Sequence, residues 1–406
     1  MRALLTLLRS YPGPVLGIFT TTALSRAGAM VIPFLALYLA ERFHFTAAQA
    51  TKTMGIYGAG SILATVLGGY AVDRWGCRRL ILLSYAGGVV TILALLRAHS
   101  VAWLVASVFA CGVCIELVRP PSSTLLTHYM AGPQLTKAFS LHHTMINIGF
   151  LIAPLLGSAL LAWGFEWLFA WNAVALAGCW AIAWRLIWNA PSTTSTEDTA
   201  RDDQETFFVG RFALVMLVEL LFMIPMVLGF SVLPLYIHQQ LALPTWVYGV
   251  TVSWNAIGII ILAYPLTAWL SRWHPFIGTG LGTLVLGAGT ALFAIARTLP
   301  GLLAAEAVVT IGEALAAAVL YQLITLQSPR HLRGRLFGIS HAVSAAGAMV
   351  GPLGAGLLLD WFGFGPCWVL CGTTGVVACG LCMYGYRAWG HADATANASA
   401  RKREHA

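Results

Sequence analysis

Apolar runs of roughly twenty residues or more, cut by short polar breaks, fill nearly the whole chain. In the first half they cover 14–40, 48–71, 79–97, 101–124, 138–163 and 167–189. In the second half they cover 211–238, 246–270, 276–297, 301–326, 336–360 and 366–388. An α-helix rises 1.5 Å per residue, so each run is long enough to cross a hydrocarbon core of about 30 Å. The pattern predicts an all-α integral membrane protein with twelve transmembrane helices. The first run follows Arg2 and Arg9, is longer than a signal h-region and lacks a convincing cleavage site.

Between the halves, 190–210 is rich in Ser, Thr and acids, including Glu197, Asp198, Asp202, Asp203 and Glu205. It reads as a solvated linker, and 390–406 reads as a disordered tail. The domain reading is an N-terminal six-helix bundle over 1–189, the linker, a C-terminal six-helix bundle over 211–389, and the tail. An internal repeat supports it. A shift of 198 residues lays Arg74 on Arg272, Trp75 on Trp273, Phe139 on Phe337 and His143 on His341. The same shift lays Gly149 on Gly347, Pro154 on Pro352 and Trp163 on Trp361. At a shift of 201, Gly28, Val31 and Pro33 fall on Gly229, Val232 and Pro234. Duplicated six-helix halves of one orientation are pseudo-symmetric and place a substrate cavity between them.

Composition agrees with the pattern, and charge orients it. The 406 residues are 59% hydrophobic and 9% charged, against about 25% charged in soluble domains, so the surface must face lipid. A net charge of +8 suggests a nucleic-acid partner until its distribution is considered. Arg42, Lys52, Arg97 and Arg297 fall on one side of the spans, Arg26 and Arg119 inside them, and the other seventeen basic residues on the opposite side. That is the positive-inside pattern, with both termini cytoplasmic. The basicity records topology, and no nucleic acid is implied. Cys111 and Cys114, like Cys379 and Cys382, have C-x-x-C spacing but lie in apolar runs, where packing is favoured over metal or redox chemistry. No cofactor is expected.

The turn after the second run reads Gly69-Tyr-Ala-Val-Asp73-Arg74-Trp-Gly76-Cys77-Arg78-Arg79. Gly69 permits close helix contact, Gly76 a tight turn, and the arginines hold the loop at the cytoplasmic face. The segment resembles the G-x-x-x-D-R-x-G-R-R signature of the major facilitator superfamily of secondary transporters, with Cys77 where a basic residue is usual. The resemblance implies that Gly69, Asp73, Arg74, Gly76, Arg78 and Arg79 form a conformational latch. A second likeness, Gly149-x-x-x-Ala153-Pro154-x-x-Gly157-Ser158, is similar to the superfamily element associated with drug/proton antiporters. It is echoed by Gly347, Gly351 and Pro352, and small residues with a proline make a close, kinkable helix interface. Glu116-Leu-Val-Arg119-Pro120-Pro121 with the later Asn147-Ile-Gly149 resembles a branch of bacterial facilitators and, more faintly, the proton-coupled oligopeptide transporters.

An ionised Arg or Asp at mid-membrane costs about 2.5–3.5 kcal/mol on the insertion scale. Arg26, Glu116, Arg119, Glu219 and Glu313 lie well inside the runs, with Glu306 nearer an outer end, able to snorkel to water. Glu116 and Arg119 are three apart and can neutralise each other as a purely structural pair. Three acids against two arginines leave a carboxylate over, so Glu313, Glu219 and Glu116 are the candidates for proton coupling. Arg26, Arg119, His142, His143, Asn147, Trp254, Asn255 and His341 are candidates for the substrate cavity, although structural roles compete for the histidines and packing for Trp254. The expected function is alternating-access transport of a small organic molecule across the bacterial inner membrane, as a proton-coupled drug or metabolite exporter. The alternative is a proton-coupled importer of peptide-like or siderophore-like metabolites. Without a nucleotide loop, an H-E-x-x-H pair or a soluble catalytic domain, nothing points to an enzyme. Substrate, protons and the bilayer are the expected partners, and a monomer would contain a complete cavity.

Overall fold

Backbone groups in lipid find no water, so an apolar run must satisfy its own hydrogen bonds as a helix. The computed structural model describes residues 11–130, 132–188, 209–270, 273–327 and 333–404, and among these it is helical throughout its long elements. The first half contains α1 (Gly13–Gly28), α2 (Val31–Phe43), α3 (Ala47–Trp75), α4 (Cys77–Leu96), α5 (Val101–Glu116), α6 (Arg119–Tyr129), α7 (Gly132–Leu161) and α8 (Phe165–Ile187). The second contains α9 (Val209–Ser231), α10 (Trp246–Leu270), α11 (Pro275–Leu292), α12 (Leu299–Leu326), α13 (Arg333–Phe362) and α14 (Phe364–Glu404). Among the described residues, twelve segments are long and apolar enough to cross a membrane. The linker 190–210 lies almost wholly outside the described residues.

Three expected spans are not single helices. The first breaks at Ala29–Met30 between α1 and α2, where Pro33 cannot donate to the carbonyl one turn earlier. The fourth breaks at Leu117–Val118, ahead of Pro120 and Pro121 in the first turn of α6. The seventh ends its α-helix at Ser231 and continues through Leu233–Leu235 into a π-helical turn, Tyr236–Gln240, with Pro234 at the change. At the other end of the chain, α14 runs on to Glu404 where a disordered tail from 390 was expected. Its alternating alanines after His391 have high helix propensity.

The repeat is visible in how helices begin and pack. Ser100 and Thr298, 198 apart, cap α5 and α12 by accepting from the N–H groups of Trp103 and Gly301. Helix α4 packs on α5 and α8, and α11 packs in the same way on α12 and α14. Gly60 of α3 meets Gly112 of α5 so closely that a Cβ on Gly60 would stand 2.9 Å from the Val113 nitrogen. At the matching shift, a Cβ on Gly258 would stand 2.6 Å from Cγ2 of Thr310.

The helices form two compact units. One comprises Met1–Thr199, Val227–Ala256 and Ala345–Trp361; the other comprises Ala200–Met226, Ile257–Ser344 and Phe362–Ala406. The first unit thus takes in the end of α9, the start of α10 and the end of α13. A Cβ on Gly58 would lie 2.6 Å from backbone atoms of Ala348, and one on Gly249 would lie 2.7 Å from the Pro154 carbonyl. Lys52 pairs with Asp360, and His238 in the π turn lies 3.6 Å from Glu41.

Candidate functional site

The broken first and fourth spans bring their charges together. Arg26 sits in the last turn of α1, Glu116 closes α5, and Arg119 opens α6. Glu116, 4% exposed, is ion-paired to Nε of Arg119 and accepts a hydrogen bond from the Tyr57 hydroxyl at 2.9 Å. Nη1 of Arg26 lies 3.9 Å from the same carboxylate, and its guanidinium is 5.8 Å from the centre of the Phe150 ring. Glu116 therefore has two cationic neighbours and a hydroxyl donor, the arrangement of a fixed anion.

Arg26, Glu116, Tyr57 and Phe150 border a cavity of about 170 Å³, wholly within the first unit. Arg26, Glu116, Tyr57, Tyr85, Asn172 and Ser25 supply its polar wall, and Phe150, Phe230, Val227, Leu176 and Pro352 part of its apolar one. Its lining comes from both sequence halves. Asn172 is 2% exposed, and its Oδ1 is buried without a hydrogen-bond partner among the described residues. Sequence reasoning missed Asn172, Tyr57 and Tyr85 because a lone Asn or Tyr in an apolar run carries no spacing signal.

Of the other residues expected here, Arg119 touches Glu116 but does not border the cavity, and His142 pairs with the Thr22 hydroxyl at 3.1 Å. Asn147, Asn255 and His341 do not line it either, and Trp254 is 46% exposed. The side chain of His143 lies outside the described residues.

The second unit carries a separate carboxylate. Glu219 of α9 is 4% exposed, and its Oε1 accepts from the Ser340 and Ser344 hydroxyls at 2.8 and 2.7 Å. Its Oε2 is buried without a hydrogen-bond partner among the described residues. A small cavity of about 40 Å³ adjoins it, bordered by Phe222, Met223, Leu320, Tyr321 and Ser344. On α12, Glu313 is partly buried and Glu306 is 6% exposed. The expectation that Glu306 reaches water is thus corrected: neighbouring helices enclose it, and no hydrogen bond or ion pair to its carboxylate is found among the described residues. The seven-residue spacing sets Glu306 and Glu313 on one helix face.

In the loop signature, Gly76 has φ +76°, which favours glycine, and separates α3 from α4. Arg78 donates to the Trp188 carbonyl at 2.7 Å and lies 4.3 Å from that ring's centre, clasping the end of α8. Arg74 and Arg79 are exposed, while the side chain of Asp73 is outside the described residues. Among the described residues Gly69 has open space where a Cβ would stand. Two glycines of α7 stand at close approaches to α1 and α2. A Cβ on Gly149 would lie 2.9 Å from the Ala27 nitrogen, and one on Gly157 2.7 Å from the Phe34 ring. Ala153, Pro154, Gly347, Gly351 and Pro352 are buried. None of the eight cysteines is held in a disulfide, and no metal-holding group occurs, among the described residues.

Twelve apolar spans, two of them broken where charges converge on a cavity, define a multi-pass membrane protein built like a solute transporter. The chain belongs to the Major Facilitator Superfamily, whose family model matches residues 18–296 and 247–404. Among its relatives, the uncharacterized MFS-type transporter YqjV of Bacillus subtilis is 27% identical, over 87% of this chain and 88% of its own. A Na(+), Li(+), K(+)/H(+) antiporter of Planococcus maritimus is 24% identical, over 86% and 90%. The multidrug resistance protein MdtH of Aeromonas hydrophila is 25% identical, over 86% and 88%. Among solved structures, a POT family transporter in complex with 5-aminolevulinic acid has TM-score 0.77 at 14% identity, covering 93% of this chain and 98% of that one. The family and these relatives are transporters, not enzymes.

Proposed function

We propose that this protein is a proton-coupled secondary exporter of small organic molecules in the bacterial inner membrane. Two six-helix bundles with cytoplasmic termini rock about the Arg26–Glu116 cavity, and the signature loop latches one state. The observation that carries this reading is Glu219, a buried carboxylate steadied by two serine hydroxyls, with its second oxygen open to take a proton. Protonation there removes a charge at membrane depth and so distinguishes one conformation from another. Glu306 and Glu313 provide further carboxylates for the same path, whereas Glu116 serves as a permanent counter-charge. The antiporter and multidrug names of the relatives support the export direction.

The test is substrate-driven proton movement in proteoliposomes carrying an imposed pH gradient. Wild type should respond to at least one member of a substrate panel, while Glu219→Gln should reduce the proton flux roughly tenfold or more. Normal flux in Glu219→Gln, Glu306→Gln and Glu313→Gln, singly and combined, would remove the coupling proposal. In energised cells, deletion should raise intracellular substrate; a fall would favour the importer.

A second reading, alkali-cation/proton exchange, draws on the Planococcus maritimus relative and on the oxygen donors Glu219, Ser340 and Ser344. Hard cations favour oxygen ligands. Sodium or potassium alone collapsing the gradient in those liposomes, with no organic solute, would select it.

A further inference from the structure

We propose that the cavity of the first unit selects organic anions, specifically carboxylates with an aromatic or similarly apolar body. This rests on the transport reading and names the substrate class of its central site. The first argument is charge. Arg26 and Glu116 are the charged residues that border the cavity among the described residues, and from outside it Arg119 is directly ion-paired to Glu116. The cation left over is Arg26. Arg119 is directly paired, whereas Arg26 stands 3.9 Å from Glu116, and no hydrogen bond from its guanidinium is found among the described residues. A guanidinium offers five donors in a planar fork that matches a carboxylate, and here that fork borders the cavity.

The second argument is position. Arg26 lies in the last turn of α1, directly before the break at Ala29–Met30, so one broken span carries the cation into the cavity and another carries its counter-charge. Discontinuous helices at membrane depth are where transporters hold charged ligands. The third is the remaining wall. Tyr57, Tyr85, Phe150 and Phe230 present rings, and Asn172 adds an amide whose oxygen has no hydrogen-bond partner among the described residues. An apolar body with an anionic end fits this surface; an amine would meet Arg26.

The probes are 4-phenylbutyrate, 4-phenylbutan-1-ol and 4-phenylbutylamine, which share one body and differ in charge. Binding to the purified full-length protein is measured by calorimetry without any gradient, with thermal unfolding as the check on folding. The acid should bind about tenfold more tightly than the alcohol, and the amine most weakly. Arg26→Gln should abolish the preference, and Arg26→Lys should restore the ranking. Glu116→Gln should strengthen acid binding, the opposite of what a merely structural cluster would give. The inference is overturned by amine binding that equals or exceeds that of the acid, by unchanged acid binding in Arg26→Gln, or by no measurable acid binding. Because no proton moves in this assay, acid binding without proton flux would refute the coupling alone. Proton-coupled transport confined to cations would refute the ligand class alone.

Discussion

Gly69 and Gly76 occupy the same signature for different physical reasons. At Gly76 a φ of +76° combines with a ψ of 156°, a region that essentially only glycine adopts, and an L side chain there costs about 1–3 kcal/mol. Gly69 lies within α3 with nothing near its missing Cβ, so alanine gains helix propensity of about 0.5–1 kcal/mol. Thermal unfolding in detergent should therefore rank Gly69→Ala at or above wild type and Gly76→Ala below it. If Gly69→Ala proves the more damaging, the glycine serves a contact formed in another conformation. Arg78 is the member of this loop with a firm partner, since it binds both the ring and the carbonyl of Trp188. Tryptophan at a span end reads in sequence as an interfacial anchor, and its use as an arginine platform depends on the neighbouring helix, which spacing does not specify.

Among the helices, the duplicated contact between the second and fourth spans offers a test of how closely the halves correspond. Around Gly60 and Gly112 the neighbours are backbone, whereas the neighbour of Gly258 is the Thr310 side chain. Alanine at Gly60 forces the helices apart and should cost about 1–3 kcal/mol. Gly258→Ala should also destabilise, but Thr310→Ala should largely rescue it, as a double-mutant cycle would read out. No side-chain substitution removes the backbone facing Gly60. The repeat itself was legible because Trp, His and Pro recur at one shift. Span number was legible because lipid leaves the backbone few choices. The helix breaks were less so: Pro33, Pro120 and Pro234 stand in the sequence, but Pro154, Pro225, Pro265 and Pro352 lie inside helices that continue. Which proline breaks its span depends on whether neighbours satisfy the freed carbonyl. Burial of Glu306 and the cavity position of Asn172 likewise arise from packing between spans.

At the scale of the whole molecule, the first unit joins the second and eleventh spans through Gly58 and Ala348 and through the Lys52–Asp360 pair. Both charged side chains are more than a third exposed, so the pair itself contributes only about 0–1 kcal/mol. Charge reversal at both positions should accordingly leave stability near wild type. If transport proceeds by rocking of the two halves, this contact opens and closes each cycle. A disulfide between Lys52→Cys and Asp360→Cys should then stop transport, and reduction should restore it. Transport that continues with the disulfide fully formed would mean that this end of the protein stays closed throughout.

The split charge cluster also bears on how the chain enters the bilayer. Arg26 is synthesised 90 residues before Glu116, which at the usual pace of translation is a wait of roughly 5–20 s. For that interval the first span holds a guanidinium without its native counter-charge, and the insertion machinery or water at the membrane surface must shelter it. Nascent chains halted before Glu116 should therefore show incomplete insertion of the first span, and chains halted after Arg119 should show it completed. The charge cluster is thus also a delayed step in biogenesis, closed only when the fourth span arrives.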